Sequence, residues 1–87
     1  MELQSKTIEF RNEVFEVREL TVGALLPMLK MMEDNPQEAT AAITRASVHV
    51  GGKPIGKDLD GYPAALFMKL VNVVTEINQL GGDEGND

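Results

Sequence analysis

Apolar residues recur at intervals of three and four positions from Tyr62 to Leu80, the longest such pattern in the chain. They form two adjoining rows: Leu66, Leu70, Val73, Ile77 and Leu80, and beside them Phe67, Val71 and Val74. This spacing places all eight on one side of an α-helix. Asp60 is the expected N-cap, Pro63 would lie in the first turn, and Gly81 follows the last apolar position. The segment therefore predicts a long amphipathic helix whose apolar side must be covered by the rest of the chain.

Apolar and charged residues alternate between Lys6 and Leu20, which is typical of β-strands. The apolar positions are Ile8 and Phe10 before Asn12, and Phe15 and Val17 after it. We therefore predict a hairpin that turns through Asn12 and has one apolar face. A two-stranded hairpin alone is marginally stable in water, so we expect this face to pack on the helices.

Two helix start signals follow the hairpin. Thr21 is a candidate N-cap for a helix that runs to about Glu33, and Pro27 should kink or loosen that helix because it lies beyond the first turn. We expect its inner side to contain Leu25, Leu26, Leu29 and Met32. Asn35 and Pro36 then begin a further helix, with Glu38 placed as in a capping box.

The helix that begins at Pro36 carries small residues on one side. We expect Ala39, Ala42, Ile43, Ala46 and Val50 to face inward, and Thr40, Thr44 and Arg45 to face outward. The helix should end near Gly51. Residues 46–50 could instead form a strand, and the local pattern leaves both alternatives open.

These elements predict an α+β fold that is mainly α, with an N-terminal β-hairpin followed by three helices, the last one longest. Residues 1–5 are expected to be a flexible N-terminus and residues 6–80 a single domain. Residues 51–61 form a polar connector, and residues 81–87 are expected to be a disordered acidic tail. A chain of 87 residues has room for one small core.

The net charge of −6 argues against nucleic acid as a partner. Phosphate contacts need clustered Lys and Arg, whereas the eight basic residues are scattered, so we expect no general affinity for nucleic acid. No stretch approaches the roughly 20 apolar residues of a membrane span, and a cytoplasmic protein without a membrane partner fits best. With no cysteine and one histidine, thiolate zinc sites and histidine-rich metal sites are excluded.

Two features of the sequence match part of a known functional motif but lack the other residues that the motif requires. Gly51, Gly56 and Lys57 match the spacing of a phosphate-binding loop, but Asp58 stands where a Ser or Thr hydroxyl is needed for magnesium. His49 has no nucleophile pattern to accompany it. We therefore predict that the protein is not an enzyme and needs no cofactor.

Three of the five methionines, Met28, Met31 and Met32, lie in the helix that begins after Thr21. Methionine is flexible and polarizable, and surfaces that bind adaptable partners are rich in it. The cluster could fill an irregular core under a loosened helix, or it could line a partner surface. We take Met28, Met31 and Met32, together with Leu29, as the candidate partner-binding residues.

The order of these segments resembles the phage tail assembly chaperones, in the short form encoded between the tail tube and tape-measure genes. The resemblance rests on the strand at residues 15–22 that runs into the sequence LTVGALLPMLK, on the segment 42–46, on Ile55, and on the segment 57–62 before the last helix. It covers about residues 6–80.

Such a resemblance implies a non-enzymatic role in the host cytoplasm. The protein would bind the tape-measure protein and help to recruit tail tube subunits. Some family members have a longer form made by ribosomal frameshifting, and such an extension would begin after Leu80. One alternative is a small acidic phage-encoded inhibitor that mimics nucleic acid and binds a host protein. Another is an adaptor subunit that dimerises through exposed apolar surface, and a homo-oligomer is possible for the chaperone as well.

Overall fold

The structure is a computed structural model, and it describes residues 1–80. In chain order the elements are β1 (Ser5–Phe10), β2 (Glu13–Arg18), α1 (Val22–Asp34), α2 (Pro36–Ser47), β3 (Val48–Val50), β4 (Lys53–Pro54), a 3-10 helix (Gly56–Gly61) and α3 (Ala64–Ile77). The fold is α+β, as the sequence predicts. The expected acidic tail, 81–87, lies outside the described residues. None of the helices within residues 1–80 is long and apolar enough to cross a membrane.

The four strands form one antiparallel sheet in the order β1-β2-β3-β4. The hairpin predicted around Asn12 is confirmed, with Ile8 opposite Phe15. Arg11 and Asn12 form the turn with φ angles of 51° and 69°. Positive φ at both central residues is the type I′ pattern, whose twist matches that of two paired strands. The turn therefore fixes the register locally.

The sheet is larger than the predicted hairpin, because β3 and β4 extend it. α2 ends at Ser47, and Val48 pairs with Val17 of β2. The strand alternative for residues 46–50 is therefore correct for 48–50, and a hairpin followed by three helices is an incomplete description. Part of the polar connector also has regular structure, since it forms β4 and the 3-10 helix.

One cluster of buried side chains joins the sheet to α3. Phe15 and Val17 of β2 and Leu66 and Leu70 of α3 are completely buried. The others in the cluster are Ile8, Ile43, Val48, Ile55, Leu59 and Val74. The prediction that the apolar face of the hairpin packs on helices is confirmed, and so is the inward side of the last helix. At 14 residues, α3 is the longest helix.

The start of α3 differs from the prediction. Asp60 belongs to the 3-10 helix, and Pro63 is the N-cap of α3. Asp60 instead accepts a 2.9 Å hydrogen bond from Arg45 Nη2, and Glu38 lies 3.7 Å from Arg45 Nη1. The hydrogen bond to Asp60 raises the pKa of Arg45, and the charge of Glu38 adds to this effect. Asp60 therefore ties the 3-10 helix to α2.

The buried side of α2 also differs from the expected one. Thr44, expected to face outward, is buried together with Ala39, Ile43 and Ser47. Its hydroxyl donates a 2.8 Å hydrogen bond to the Thr40 carbonyl, which satisfies the hydroxyl inside the fold. α2 contacts both α1 and α3, so a wider part of its surface is covered than one neighbouring helix would cover.

Regular structure begins one residue earlier in the chain than the sequence predicts. β1 begins at Ser5, inside the segment 1–5 that was expected to be flexible. The backbone N–H of Gln4 donates a 2.9 Å hydrogen bond to Glu19 Oε1, and the Glu19 N–H donates to the Gln4 carbonyl at 2.8 Å. The β1–β2 pairing therefore extends one residue pair beyond the assigned strands.

Candidate functional site

α1 begins and ends where the sequence signals place it. The Thr21 side chain accepts a 3.1 Å hydrogen bond from the Ala24 N–H, as an N-cap residue does. Asn35 follows α1 and caps the start of α2 by accepting a hydrogen bond from the Glu38 N–H at 3.2 Å. Both predicted caps are confirmed. Local sequence therefore determines the length of α1.

Pro27 lies inside α1. A proline there cannot donate to the carbonyl of Gly23, and its ring crowds that carbonyl, which together cost about 3 kcal/mol in a helix interior. Gly23 lowers helix propensity further. The backbone of α1 is therefore weakly helical, and its two caps define where the helix begins and ends.

None of the thirteen residues of α1, all within the described residues 1–80, is buried. Leu25 and Met28 contact the core cluster from its edge, and Met31 is half-buried. α2, by contrast, has four buried residues and α3 has three. α1 therefore lies on the outside of the fold and covers little of the core.

The outer side of α1 carries an apolar row that we call the α1 stripe, composed of Val22, Leu26 and Leu29. Their exposed fractions are 72%, 57% and 40%. The spacing of four and then three residues places them on one line along the helix. Leu26 and Leu29 were expected on the inner side, and the structure corrects this. The stripe leaves apolar surface in contact with water along two turns of helix.

Beside the stripe, Met32 lies at the edge of a groove between α1, α2 and the end of α3. The groove has a volume of about 180 Å³. Its apolar walls include Met32, Ile43, Val71, Val74 and Leu80, and Thr40, Thr44 and Thr75 add hydroxyl groups. Met32 itself is 36% exposed. The groove can accept a single large apolar side chain from a partner.

The four predicted partner-binding residues therefore divide between two sides of α1. Leu29 and Met32 are exposed, so the expected inner position of Met32 is corrected as well, whereas Met28 packs on the edge of the core and Met31 is half-buried. Val22 and Leu26 were not among the predicted residues, although the spacing of positions 22, 26 and 29 was visible in the sequence.

Gly51, the first glycine of the phosphate-loop spacing, and His49 belong to a turn and a strand of the sheet. Gly51 and Gly52 form the turn between β3 and β4, with φ angles of 61° and 83°, so the phosphate-loop spacing does not connect a strand to a long helix. His49 Nδ1 lies 3.1 Å from the Ser47 carbonyl, close enough for a hydrogen bond. Within residues 1–80, no three His, Cys, Asp or Glu side chains come together as metal ligands.

A second concave region is lined by side chains of the sheet together with Ala24 of α1 and Ala46 of α2. Glu16 and Arg18 of β2 form an ion pair there at 2.9 Å, beside His49 of β3. The hydrogen bond from Arg18 lowers the pKa of Glu16, and His49 contributes in the same direction. Because Glu16 neutralises Arg18, this region offers little net charge to a ligand.

Comparison of the chain with protein-family models, with curated proteins and with solved structures finds no significant match.

Proposed function

We propose that this protein is a non-enzymatic phage tail assembly chaperone that acts in the host cytoplasm. It binds helices of the tape-measure protein, keeps them soluble and helps to recruit tail tube subunits during tail assembly. Neither nucleic acid nor a membrane is a partner. The proposal combines the resemblance in segment order with the exposed apolar surface of α1.

The single observation that carries the proposal is the exposed α1 stripe beside the groove at Met32. A helix-binding protein needs apolar surface that its own fold leaves uncovered. An amphipathic helix laid along the stripe can bury Val22, Leu26 and Leu29 and insert one large side chain beside Met32. Methionine suits this groove because it adapts to different side chains.

The test is co-expression of the affinity-tagged 87-residue chain with the tape-measure protein of the same phage. We expect the chain to keep the tape-measure protein in the soluble fraction and to co-purify with it. The double variant Leu29→Ser/Met32→Ser should reduce the recovered complex at least tenfold. Met68→Ser is the matched control, because Met68 lies on α3 and is 62% exposed.

Two results would contradict the proposal. One is a tape-measure protein that fails to bind the wild-type chain at any salt concentration. The other is binding that Leu29→Ser/Met32→Ser and Met68→Ser reduce equally, which would remove the α1 surface from the interaction. Salt also separates the inhibitor alternative, since a nucleic-acid mimic loses affinity steeply as salt rises and apolar docking does not.

A further inference from the structure

α1 contributes no residue to the buried core. All eleven buried hydrophobic side chains among the described residues belong to other segments of the chain. Leu25 and Met28 reach only the edge of the core cluster. Of the described elements, α2 is the one with which α1 makes extensive contact. The sheet, α2 and α3 therefore keep their shared core if α1 moves away from it.

The helix itself is weak. Pro27 removes one backbone hydrogen bond, and Gly23 lowers helix propensity. The first turn has no acidic residue and the last turn has no basic one, so charge stabilises neither end of α1. Glu33 and Asp34 oppose the dipole of α1, but they directly precede the N-cap of α2 and favour the dipole of that helix. These two charges therefore stabilise α2 whether or not α1 is in place.

The chain on either side of α1 is fixed to the rest of the fold. Before α1, the Leu20 N–H donates a 2.8 Å hydrogen bond to Asn78, the C-cap of α3. After α1, the Asn35 side chain accepts a 3.2 Å hydrogen bond from the Glu38 N–H in the first turn of α2. Neither bond involves a residue of α1. Movement of the helix is therefore confined to the residues between Leu20 and Asn35.

We propose that α1 is a detachable helix, which opens as one unit at a lower free energy than global unfolding while the sheet, α2 and α3 stay folded. Proteins open in such cooperative segments, and segments with few buried contacts open most easily. α1 combines no buried residue, an interrupted backbone and two fixed ends. The opening is therefore local and reversible.

Detachment of α1 switches off the partner site. Val22, Leu26, Leu29 and Met32 all lie on α1, so the α1 stripe and the complete groove exist only while the helix is docked. The apparent affinity for a helical partner falls in proportion to the fraction of chains in which α1 is docked, and a bound partner holds α1 in place. This regulatory role rests on the proposed function, whereas the opening itself does not.

Native-state hydrogen exchange of the full chain in low urea tests the opening. Amides of α1 should exchange through an opening that depends weakly on urea, because it exposes little surface. Amides of β2 and α3 should exchange through global unfolding, which depends steeply on urea. Equal opening free energies and equal urea dependences in α1, β2 and α3 would overturn the proposal.

Two mild substitutions separate the local opening from global unfolding. Ile8→Val removes one buried methyl group outside α1, so exchange in β2 and α3 should become roughly fivefold faster while exchange in α1 stays unchanged. Gly23→Ala should slow exchange in α1 roughly fivefold. A Cβ added at Gly23 meets no side chain or other element within 4 Å, so alanine fits the docked helix. If Ile8→Val accelerates α1 as much as β2, or if Gly23→Ala leaves α1 unchanged, α1 does not open separately.

The regulatory role is tested at Leu25, which is half-buried at the edge of the core and does not belong to the α1 stripe. Leu25→Ser should accelerate exchange in α1 roughly tenfold and weaken binding of the tape-measure protein. Gly23→Ala in the same chain should restore part of both. Weakened binding that Gly23→Ala fails to restore would contradict the regulatory role.

Binding of the tape-measure protein also distinguishes this inference from the proposed function. A chain that binds the tape-measure protein but exchanges as a single unit overturns the inference and leaves the proposed function intact. A chain whose α1 opens separately but that binds no tape-measure protein supports the opening and contradicts the proposed function.

Discussion

The backbone N–H of Leu20 donates a 2.8 Å hydrogen bond to the side-chain oxygen of Asn78, 58 residues later in the chain. Leu20 follows β2, and Asn78 is the C-cap of α3. The side-chain nitrogen of Asn78 in turn donates to the Val74 carbonyl at 3.0 Å. The Val74 carbonyl also accepts from the backbone N–H of Asn78, so the side-chain amide adds a second hydrogen bond there and joins the end of the hairpin to the end of the longest helix.

Replacing Asn78 by alanine should destabilise the fold by about 1–2 kcal/mol, because the part-buried N–H of Leu20 loses its acceptor. Urea unfolding measures this change. The control is Asn72→Ala, since Asn72 lies exposed on the same helix and should change stability little. Equal effects of the two variants would show that the link to Leu20 contributes nothing.

Ser47 should respond to alanine in the opposite direction. Its hydroxyl is buried and has no hydrogen-bond partner among residues 1–80. A buried polar atom without a partner destabilises the folded state, and alanine also favours the helix in which Ser47 lies. We expect Ser47→Ala to leave stability unchanged or to raise it by up to about 1 kcal/mol in urea unfolding. Ser5→Ala, at an exposed position, is the control. A clear loss of stability in Ser47→Ala would mean that the hydroxyl has a partner in solution.

Local signals in the sequence account for the correctly predicted parts of the fold. Thr21 and Asn35 cap helices by contacts within three residues, and the hairpin alternates over adjacent positions. β3 is different, because Val48 becomes a strand by pairing with Val17, 31 positions earlier in the chain. A segment of three residues, two of them β-branched valines, cannot reveal such a partner. The residue type of Asp60 is typical of a helix cap. In the structure Asp60 lies in the 3-10 helix, where it accepts a hydrogen bond from Arg45 of α2, 15 positions earlier in the chain.

Only part of the exposed surface of α1 can be predicted from the sequence, because contacts with distant parts of the chain decide which side of the helix faces inward. Seven of the thirteen α1 residues are Val, Leu or Met, so apolar side chains surround most of the helix. Periodicity then indicates a helix but does not identify its inner side. Contact with the edge of the core selects Leu25 and Met28 for the inside, Met31 is half-buried, and Leu26 and Leu29 remain outside.

Pro27→Ala should stabilise the protein, by up to about 3 kcal/mol, because it restores a backbone donor and removes the clash inside α1. Urea unfolding gives the size, and slower amide exchange in α1 would locate it. Pro36→Ala is the matched control: Pro36 is the first residue of α2, where a missing N–H costs little. If Pro27→Ala lowers stability, the ring of Pro27 makes packing contacts that outweigh the strain.

Tyr62 provides a prediction about pH. Its hydroxyl donates a 2.8 Å hydrogen bond to Glu13 Oε2, and its ring packs edge-on against Phe15 with centroids 5.4 Å apart. The hydrogen bond to the Glu13 carboxylate, together with partial burial, raises the pKa of Tyr62 above its usual value. The folded state therefore favours the protonated tyrosine. This contribution to stability is fully present below the pKa of unfolded tyrosine, about 10, and is lost as the pH rises through the folded-state pKa.

Ultraviolet titration can follow Tyr62 directly, because the chain has one tyrosine and no tryptophan. In Glu13→Gln the titration midpoint should fall towards the usual pKa, since a neutral amide stabilises the protonated hydroxyl less than a carboxylate does. Glu9→Gln, on the neighbouring strand, should leave the midpoint unchanged. If both variants shift the midpoint equally, the overall acidity of the chain raises the pKa of Tyr62, and the contact with Glu13 does not.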